Sequence, residues 1–210
     1  MPKAEKFYQY GKEKIKVTSK QDVYEKIYLR AVIESYAVIN KSTGLENQIR
    51  DRLAWYLQKE HPFTSPLFQY EILDIVPERI NLVTKTERSR ADLCFHWSDW
   101  GRFTFECKRL FHQPSKNKPY LDDGLIRFIE MKYTRTNQYA AMIGFVVSGK
   151  IDSIFETIAN DTEKFHPSNP PQAIKTPINK YWKLSFTSFH ERENKENIQI
   201  YHLLFEFTGK

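Results

Sequence analysis

The 210 residues carry 32 Lys and Arg against 26 Asp and Glu, a formal net charge of +6, with 40% apolar and 15% aromatic side chains. That length and apolar content suit one substantial domain with a real core, and the basic excess points to an anionic partner, nucleic acid before an anionic membrane surface. No stretch approaches the ~20 apolar residues of a membrane span, and Met1 to Val17 is polar and lysine-rich without the apolar run of a signal peptide, so a cytoplasmic protein without membrane association is expected.

Residues 1 to 20 hold Lys3, Lys6, Lys12, Lys14, Lys16 and Lys20 and read as a solvated basic arm. Ser19 with Asp22 starts a helix running to about Ile39. Its apolar residues (Val23, Ile27, Tyr28, Ala31, Val32, Ile33, Tyr36, Val38) go most of the way round, as in a helix covered on two sides. A second helix starts at Thr43, with Leu45, Ile49, Leu53 and Leu57 at i, i+4 spacing, and ends near Glu60, before His61-Pro62. Read as a capping box, Thr43-Gly44-Leu45-Glu46 puts Glu46 at the third helical position. Phe68 to Thr86 is strand-like but interrupted by Pro77. After Lys108 come a polar loop, His112 to Pro119, and a helix at about Asp122 to Tyr133. Tyr139 to Val147 reads as a buried strand closed by Ser148-Gly149, and Ile151 to Ala159 as a short helix. Asp161 to Pro177 holds Pro167, Pro170, Pro171 and Pro177 and reads as a long loop. Two strands, Trp182 to Phe189 and Ile198 to Phe207, close the chain as a hairpin around the charged turn Glu191 to Glu196. Hairpins mixed with helices predict an α+β fold, a mixed sheet with helices on its faces.

Arg90 to Lys108 is the most informative stretch. It alternates as two strands around a turn at Ser98 to Gly101. Successive strand side chains point to opposite faces. Ala91, Leu93, Phe95, Trp97, Phe103, Phe105 and Cys107 therefore form an apolar face, and Arg90, Asp92, Cys94, His96, Arg102, Thr104, Glu106 and Lys108 the other. A symmetric hairpin closing at Asp99 sets Asp92 opposite Glu106 and Arg90 opposite Lys108. Paired carboxylates repel unless a cation lies between them, and few, hard oxygen ligands suit Mg²⁺ or Mn²⁺. The bland alternative is a surface charge ladder, but a solvated face has no need of two facing acids. Cys94 and Cys107 fall on opposite faces, so free thiols and a reducing compartment are expected, with no paired spacing for structural zinc.

Glu106-Cys107-Lys108 is an Asp/Glu-x-Lys tripeptide. Glu130-Met131-Lys132, on a predicted helix, and Glu193-Asn194-Lys195, in a predicted turn, share the spelling but not the strand context. With an acid on the preceding strand, the pattern resembles the PD-(D/E)XK nuclease superfamily over roughly residues 43 to 150. Asp92 matches its first acid, Glu106 its second, Lys108 its lysine, and Glu46 the glutamate that many members carry on the helix before the sheet; Ala91 stands where the family name has proline. The resemblance implies a restriction-endonuclease-like fold, with an N-terminal helical and basic extension and a C-terminal β-hairpin. It implies a Mg²⁺-dependent nuclease, acting on DNA more often than RNA, of the kind that serves restriction, repair or anti-phage defence in prokaryotes.

Phosphodiester hydrolysis needs an activated water, neutralised phosphorane-like charge and a protonated leaving group. Asp92, Glu106 and the backbone carbonyl of Cys107 could hold Mg²⁺, with Mn²⁺ as substitute. Lys108 could orient the water or meet developing charge, and Glu46 could bind a second metal or take the water's proton instead of only capping its helix. Lys85, Arg88 and Arg90 precede the motif, and Arg109, Lys116, Lys118, Arg127, Lys132 and Arg135 follow it; Arg90, Arg109, Lys118 and Arg127 are the candidate phosphate contacts. Arg127 sits one helical turn from Gly124, where a backbone could approach. His190 and His202 lack a third partner at ligand spacing and read as structural. Cleaving both strands of a duplex would call for a homodimer or a partner subunit of a defence complex. The alternatives are a non-cleaving nucleic-acid-binding subunit on the same fold and a basic adaptor that binds an acidic partner.

Overall fold

The computed structural model describes residues 17–82, 88–97, 100–133, 136–165 and 182–209. The arm lysines up to Lys16, Lys85, the turn residues Ser98 and Asp99, Arg135 and the proline-rich stretch 166–181 lie outside the described residues.

Helix α1 starts at Ser19, whose hydroxyl accepts from the Asp22 amide while the Asp22 carboxylate accepts from the Thr18 amide and hydroxyl. It runs as Lys20–Val23, a π-helical Tyr24–Leu29 and Arg30–Val38, close to the predicted span. Helix α2 is Glu46–Lys59 and helix α3 is Thr64–Gln69, a short helix inside and before what reads as strand. Strand β1 (Leu73–Leu82) runs through Pro77, which an edge strand tolerates because its missing N–H is not needed on the open side. Strands β2 (Arg88–Trp97) and β3 (Gly101–Leu110) form the predicted hairpin. A 3₁₀ turn at Pro114–Asn117 leads into α4, π-helical over Tyr120–Leu125 and α-helical over Ile126–Ile129. Strand β4 (Tyr139–Val146) is followed by α5 (Ile151–Lys164), which runs past the predicted end at Ala159 into the expected loop as buried Thr162 continues the face of Ile154, Phe155 and Ile158. Strands β5 (Ser185–Glu191) and β6 (Asn197–Glu206) close the chain.

The six strands lie in the order β1-β2-β3-β4-β6-β5. β3, β4 and β6 are parallel, and β1, β2 and β5 pair antiparallel. The result is a mixed open sheet of α+β type with helices on both faces. One face buries α1, α2 and α3 on Leu93, Phe95, Phe103, Phe105, Ala141, Ile143, Tyr201 and Leu203. The opposite face buries α4 and α5 on Ala140, Met142, Ile198, Ile200 and Leu204. The strand alternation of β4 and β6 thus serves two cores, which is why both read as nearly continuous apolar runs. The same uncovered-by-α1 face of β2 and β3 carries Asp92, Cys94, Thr104, Glu106 and Lys108.

His202 on β6 is fully buried. Its Nδ1 lies 3.0 Å from the Tyr120 hydroxyl, its Nε2 lies 2.8 Å from the Ser188 hydroxyl, and its ring stacks on Phe186 at 4.2 Å. Burial pulls its pKa well below the ordinary value, with His190 adding to the effect. The unfolded chain therefore takes up a proton here that the folded protein resists. The stabilising contribution is complete above about pH 6.5 and is lost as pH falls below it. A melting series from pH 7.5 to 5 should show a falling Tm, and His202→Gln should flatten that slope; a variant that retains the wild-type slope would place the titration elsewhere.

Candidate active site

The β2–β3 ladder follows the expected register from Trp97↔Gly101 to Leu93↔Phe105. There it stops. In place of a ladder bond, the Asp92 carboxylate accepts the Cys107 N–H at 2.7 Å. In an antiparallel strand a residue's N–H and C=O leave on the same side, so the Cys107 carbonyl faces the same gap. On the other side of β2, pairing to β1 skips one position: Pro77↔Leu93 and Arg79↔Ala91 pair, and between them Glu78 has φ of 52°. Asp92 thus sits where β2 is released by both neighbours.

Glu106 is 1% exposed. Its Oε1 accepts from Lys108 Nζ at 2.6 Å and lies 3.4 Å from Arg127 Nη1, and its Oε2 accepts from the Tyr133 hydroxyl at 2.6 Å. Arg127 Nη1 in turn donates to the Tyr133 oxygen at 2.6 Å. Burial and the Asp92 charge push the Glu106 carboxyl up to about 7, with Lys108 and Tyr133 opposing. Burial pulls the Lys108 ammonium down, but Glu106, Glu46 and Asp92 more than offset it, and its pKa is raised. The backbone of α4 comes close here: a Cβ on Gly124 would stand 2.5 Å from Met142 Cε and 3.5 Å from Glu106 Cγ.

Glu46 is the first residue of α2, not the third. The side chain that caps this helix is Gln48, whose Oε1 accepts the Leu45 N–H at 3.0 Å; leucine has no acceptor to return, so only half of a capping box forms. Glu46 is left free to face the sheet, where Oε2 accepts the Arg109 N–H at 3.0 Å and Oε1 lies 3.9 Å from Lys108 Nζ. Burial raises its pKa, Lys108 opposing. One turn further on, Arg50 is 5% exposed and reaches Asp51, Glu78 at 3.0 Å and Asp92 at 3.5 Å.

These groups line an open cleft of about 680 Å³, together with Arg90, Arg109, Arg127 and Lys132. Arg90 is exposed and pairs with Glu78 at 3.0 Å. Lys118 is exposed and does not line the cleft; it sits before α4, beyond the end of β3. Glu130 and Lys132 fall after α4, not on it, because Met131 at φ 57° turns the chain, and the two form an ion pair at 2.8 Å. Sequence reading missed Tyr133, Arg50 and Glu78. Arg50 stands at i+4 from Glu46, a signal that was present; the other two are brought in by tertiary packing. Cys94 and Cys107 are both buried free thiols.

The donor set is chemically suited to a hard divalent cation: two carboxylates, one of them raised by its burial and then by the charge of the other, a backbone carbonyl on the same side and an open cleft for water. Among the described residues no three His, Cys, Asp or Glu side chains converge as a ready-made cage. Mg²⁺ ordinarily keeps several waters and takes only one or two carboxylates, so two acids and a carbonyl are sufficient protein ligands. No helix among the described residues is long and apolar enough to cross a membrane.

The raised Glu106 pKa is a stability statement. Its folded value near 7 exceeds the ordinary value of 4.5, so the stability it contributes is complete below about pH 4.5 and is lost as pH rises through 7. In EDTA, Glu106→Gln should gain Tm over wild type at pH 8, on the order of 3 kcal/mol at most, and the gain should shrink toward pH 4.5. A pH-independent difference would refute the buried charge. In urea unfolding, Gln48→Ala should cost about 0.5–1 kcal/mol, the scale of a cap contribution; a variant as stable as wild type would take the cap away from Gln48.

Compared with protein-family models, with curated proteins and with solved structures, the chain matches none.

Proposed function

We propose that the chain is a metal-dependent nuclease that hydrolyses phosphodiester bonds, a DNA endonuclease on a restriction-endonuclease-like fold serving prokaryotic restriction or anti-phage defence. The observation that carries this reading is the convergence of Asp92, Glu106, Lys108 and Glu46 in one cleft flanked by arginines. Three different elements supply them, which a surface charge ladder does not require.

Asp92, Glu106 and the Cys107 carbonyl would hold Mg²⁺ or Mn²⁺, which when bound supplies Lewis acidity and a water of lowered pKa. Tyr133 and Arg127 fix the Glu106 carboxylate from behind, so that it presents one defined orientation. Lys108, between Glu106 and Glu46, holds a positive charge where a phosphate oxygen becomes more negative. Glu46, with a raised pKa and partial exposure, is placed to take a proton from an attacking water. Arg90 and Arg109 stand on the cleft wall as phosphate contacts.

Incubation with plasmid, linear duplex, single-stranded DNA and RNA tests the proposal. Cleavage is expected with Mg²⁺ or Mn²⁺ and none in EDTA. Asp92→Ala, Glu106→Ala and Lys108→Ala should each lower it by at least about 10²-fold. Undiminished cleavage in EDTA, or near wild-type rates for Glu106→Ala, would sink the mechanism. Salt-dependent DNA binding without cleavage in any metal would instead favour a non-cleaving subunit. Glu46→Gln should lose activity while its melting temperature holds, because an amide neither accepts the proton nor ligates metal well; full turnover in that variant would limit Glu46 to a structural role.

A further inference from the structure

A second hollow, of about 410 Å³, opens at the turn end of the β2–β3 hairpin, lined by Cys94, Arg102 and Thr104 of the hairpin and by Lys20 and Tyr24 of α1. Lys20, Arg79 and Arg102 line it, with Trp100 and Tyr133 beside them and the buried Cys94 on its wall. Burial pushes the Cys94 thiol up, and the Arg79 and Arg102 guanidinium charges oppose it. The two concavities differ in charge balance. In the cleft, Glu46, Glu78, Asp92 and Glu106 offset most of the basic side chains. In the hollow, among the described residues, no Asp or Glu lines the wall, and Lys20, Arg79 and Arg102 make no ion pair. Cations gathered with no counterion among the described residues repel one another, and an anion bound between them relieves that repulsion.

Tyr133 joins the two places. It lines the hollow and donates to Glu106. Arg102 and Glu106 lie four residues apart on β3 with side chains on one face, a separation of about 13 Å at ~3.3 Å per residue. A strand of nucleic acid whose reacting phosphodiester lies at Glu106 would pass over or end at the hollow.

We propose that the hollow is a second phosphate subsite, which takes a phosphate group of the same nucleic-acid strand. This rests on the nuclease reading for the identity of the strand, but the binding itself requires neither metal nor turnover. The phosphate is either the terminal group of a strand end or an internal phosphodiester, and both are held by Arg79, Arg102 and Lys20.

The test is titration of the full-length protein, in EDTA, with single-stranded DNA tetranucleotides carrying a 5′-phosphate, a 3′-phosphate or hydroxyls at both ends. Arg102→Ala and Arg79→Ala should each weaken binding of at least one of these about tenfold, the scale of a lost charge-assisted hydrogen bond. Lys164→Ala, exposed at the end of α5 and outside both concavities, should leave it unchanged. A preference for one phosphorylated end that both arginine variants abolish assigns the subsite to a strand end. Equal binding of all three, weakened by the arginine variants, assigns it to an internal phosphate. Affinities that Arg79→Ala and Arg102→Ala do not change overturn the proposal, whatever the cleavage assays show. Arginine-dependent binding in a protein that never cleaves keeps the subsite and defeats the nuclease reading instead.

Discussion

A carboxylate buried to 1% exposure organises one half of this molecule. Glu106 sits in the middle of β3, and Lys108, Tyr133 and Arg127 are arranged around its two oxygens. A charge so placed is tolerated only when donors replace its water. Each donor comes with an element: Lys108 from the same strand, Arg127 from the last turn of α4, Tyr133 from the chain that leaves that helix. Gly124 of α4 lies against Met142 and Glu106, and the same helix packs Leu125, Phe128 and Ile129 into the second core. The polar site and the apolar packing of α4 are therefore one arrangement.

The second constraint is the early end of the β2–β3 ladder. A ladder N–H left without a strand partner must find another acceptor, and for Cys107 that acceptor is the Asp92 carboxylate. The release of β2 is matched on its other side by the positive φ of Glu78, whose carboxylate meets Arg50 and Arg90. Arg50, almost wholly buried, links Glu78 and Asp92 to α2, the helix that also brings Glu46 to the end of β3. Acids from α2, β1, β2 and β3 are thus gathered by basic side chains into one cleft.

The two sheet faces are used differently. α1, α2 and α3 cover the first from β1 to β6 with a continuous apolar layer. On the second, the apolar cluster is drawn chiefly from β4, β5 and β6 with α4 and α5. Asp92, Cys94, Thr104, Glu106 and Lys108 occupy the β2–β3 part of that face; the cleft opens there, and the basic hollow lies at the turn end of the hairpin. Among the described residues the hollow is lined by cations without acids and the cleft by both, two distinct electrostatic environments.

Period-two alternation was sufficient to determine the hairpin, its register from Trp97↔Gly101 to Leu93↔Phe105 and the grouping of Asp92, Glu106 and Lys108, because strand geometry allows only two faces and the apolar residues claim one. The expected pairs Asp92–Glu106 and Arg90–Lys108 do not form, because the ladder ends before them, and Ala91 packs in the second core and not beside Leu93. Ser19 and Asp22 determined the start of α1 for an equally local reason. The start of α2 was not local in the same way: Thr43 reads as the cap, but the helix begins two residues later, where Gln48 reaches back to the Leu45 amide. A strand within Phe68 to Thr86 was legible, but its start at Leu73 and the short α3 before it were not, since Leu67 owes its burial to a core built by distant residues. Glu78 and Tyr133 belong to the site through contacts across 28 and 27 residues of sequence, and no local period encodes such distances; Arg50 shares the Glu46 face of α2 at i+4, while its reach to Asp92, 42 residues on, is tertiary. The sequence by itself determined which side chains share a strand face; only the tertiary structure decided which of them are buried, what charges surround them, and that Glu46 is turned toward the sheet and not into its own helix.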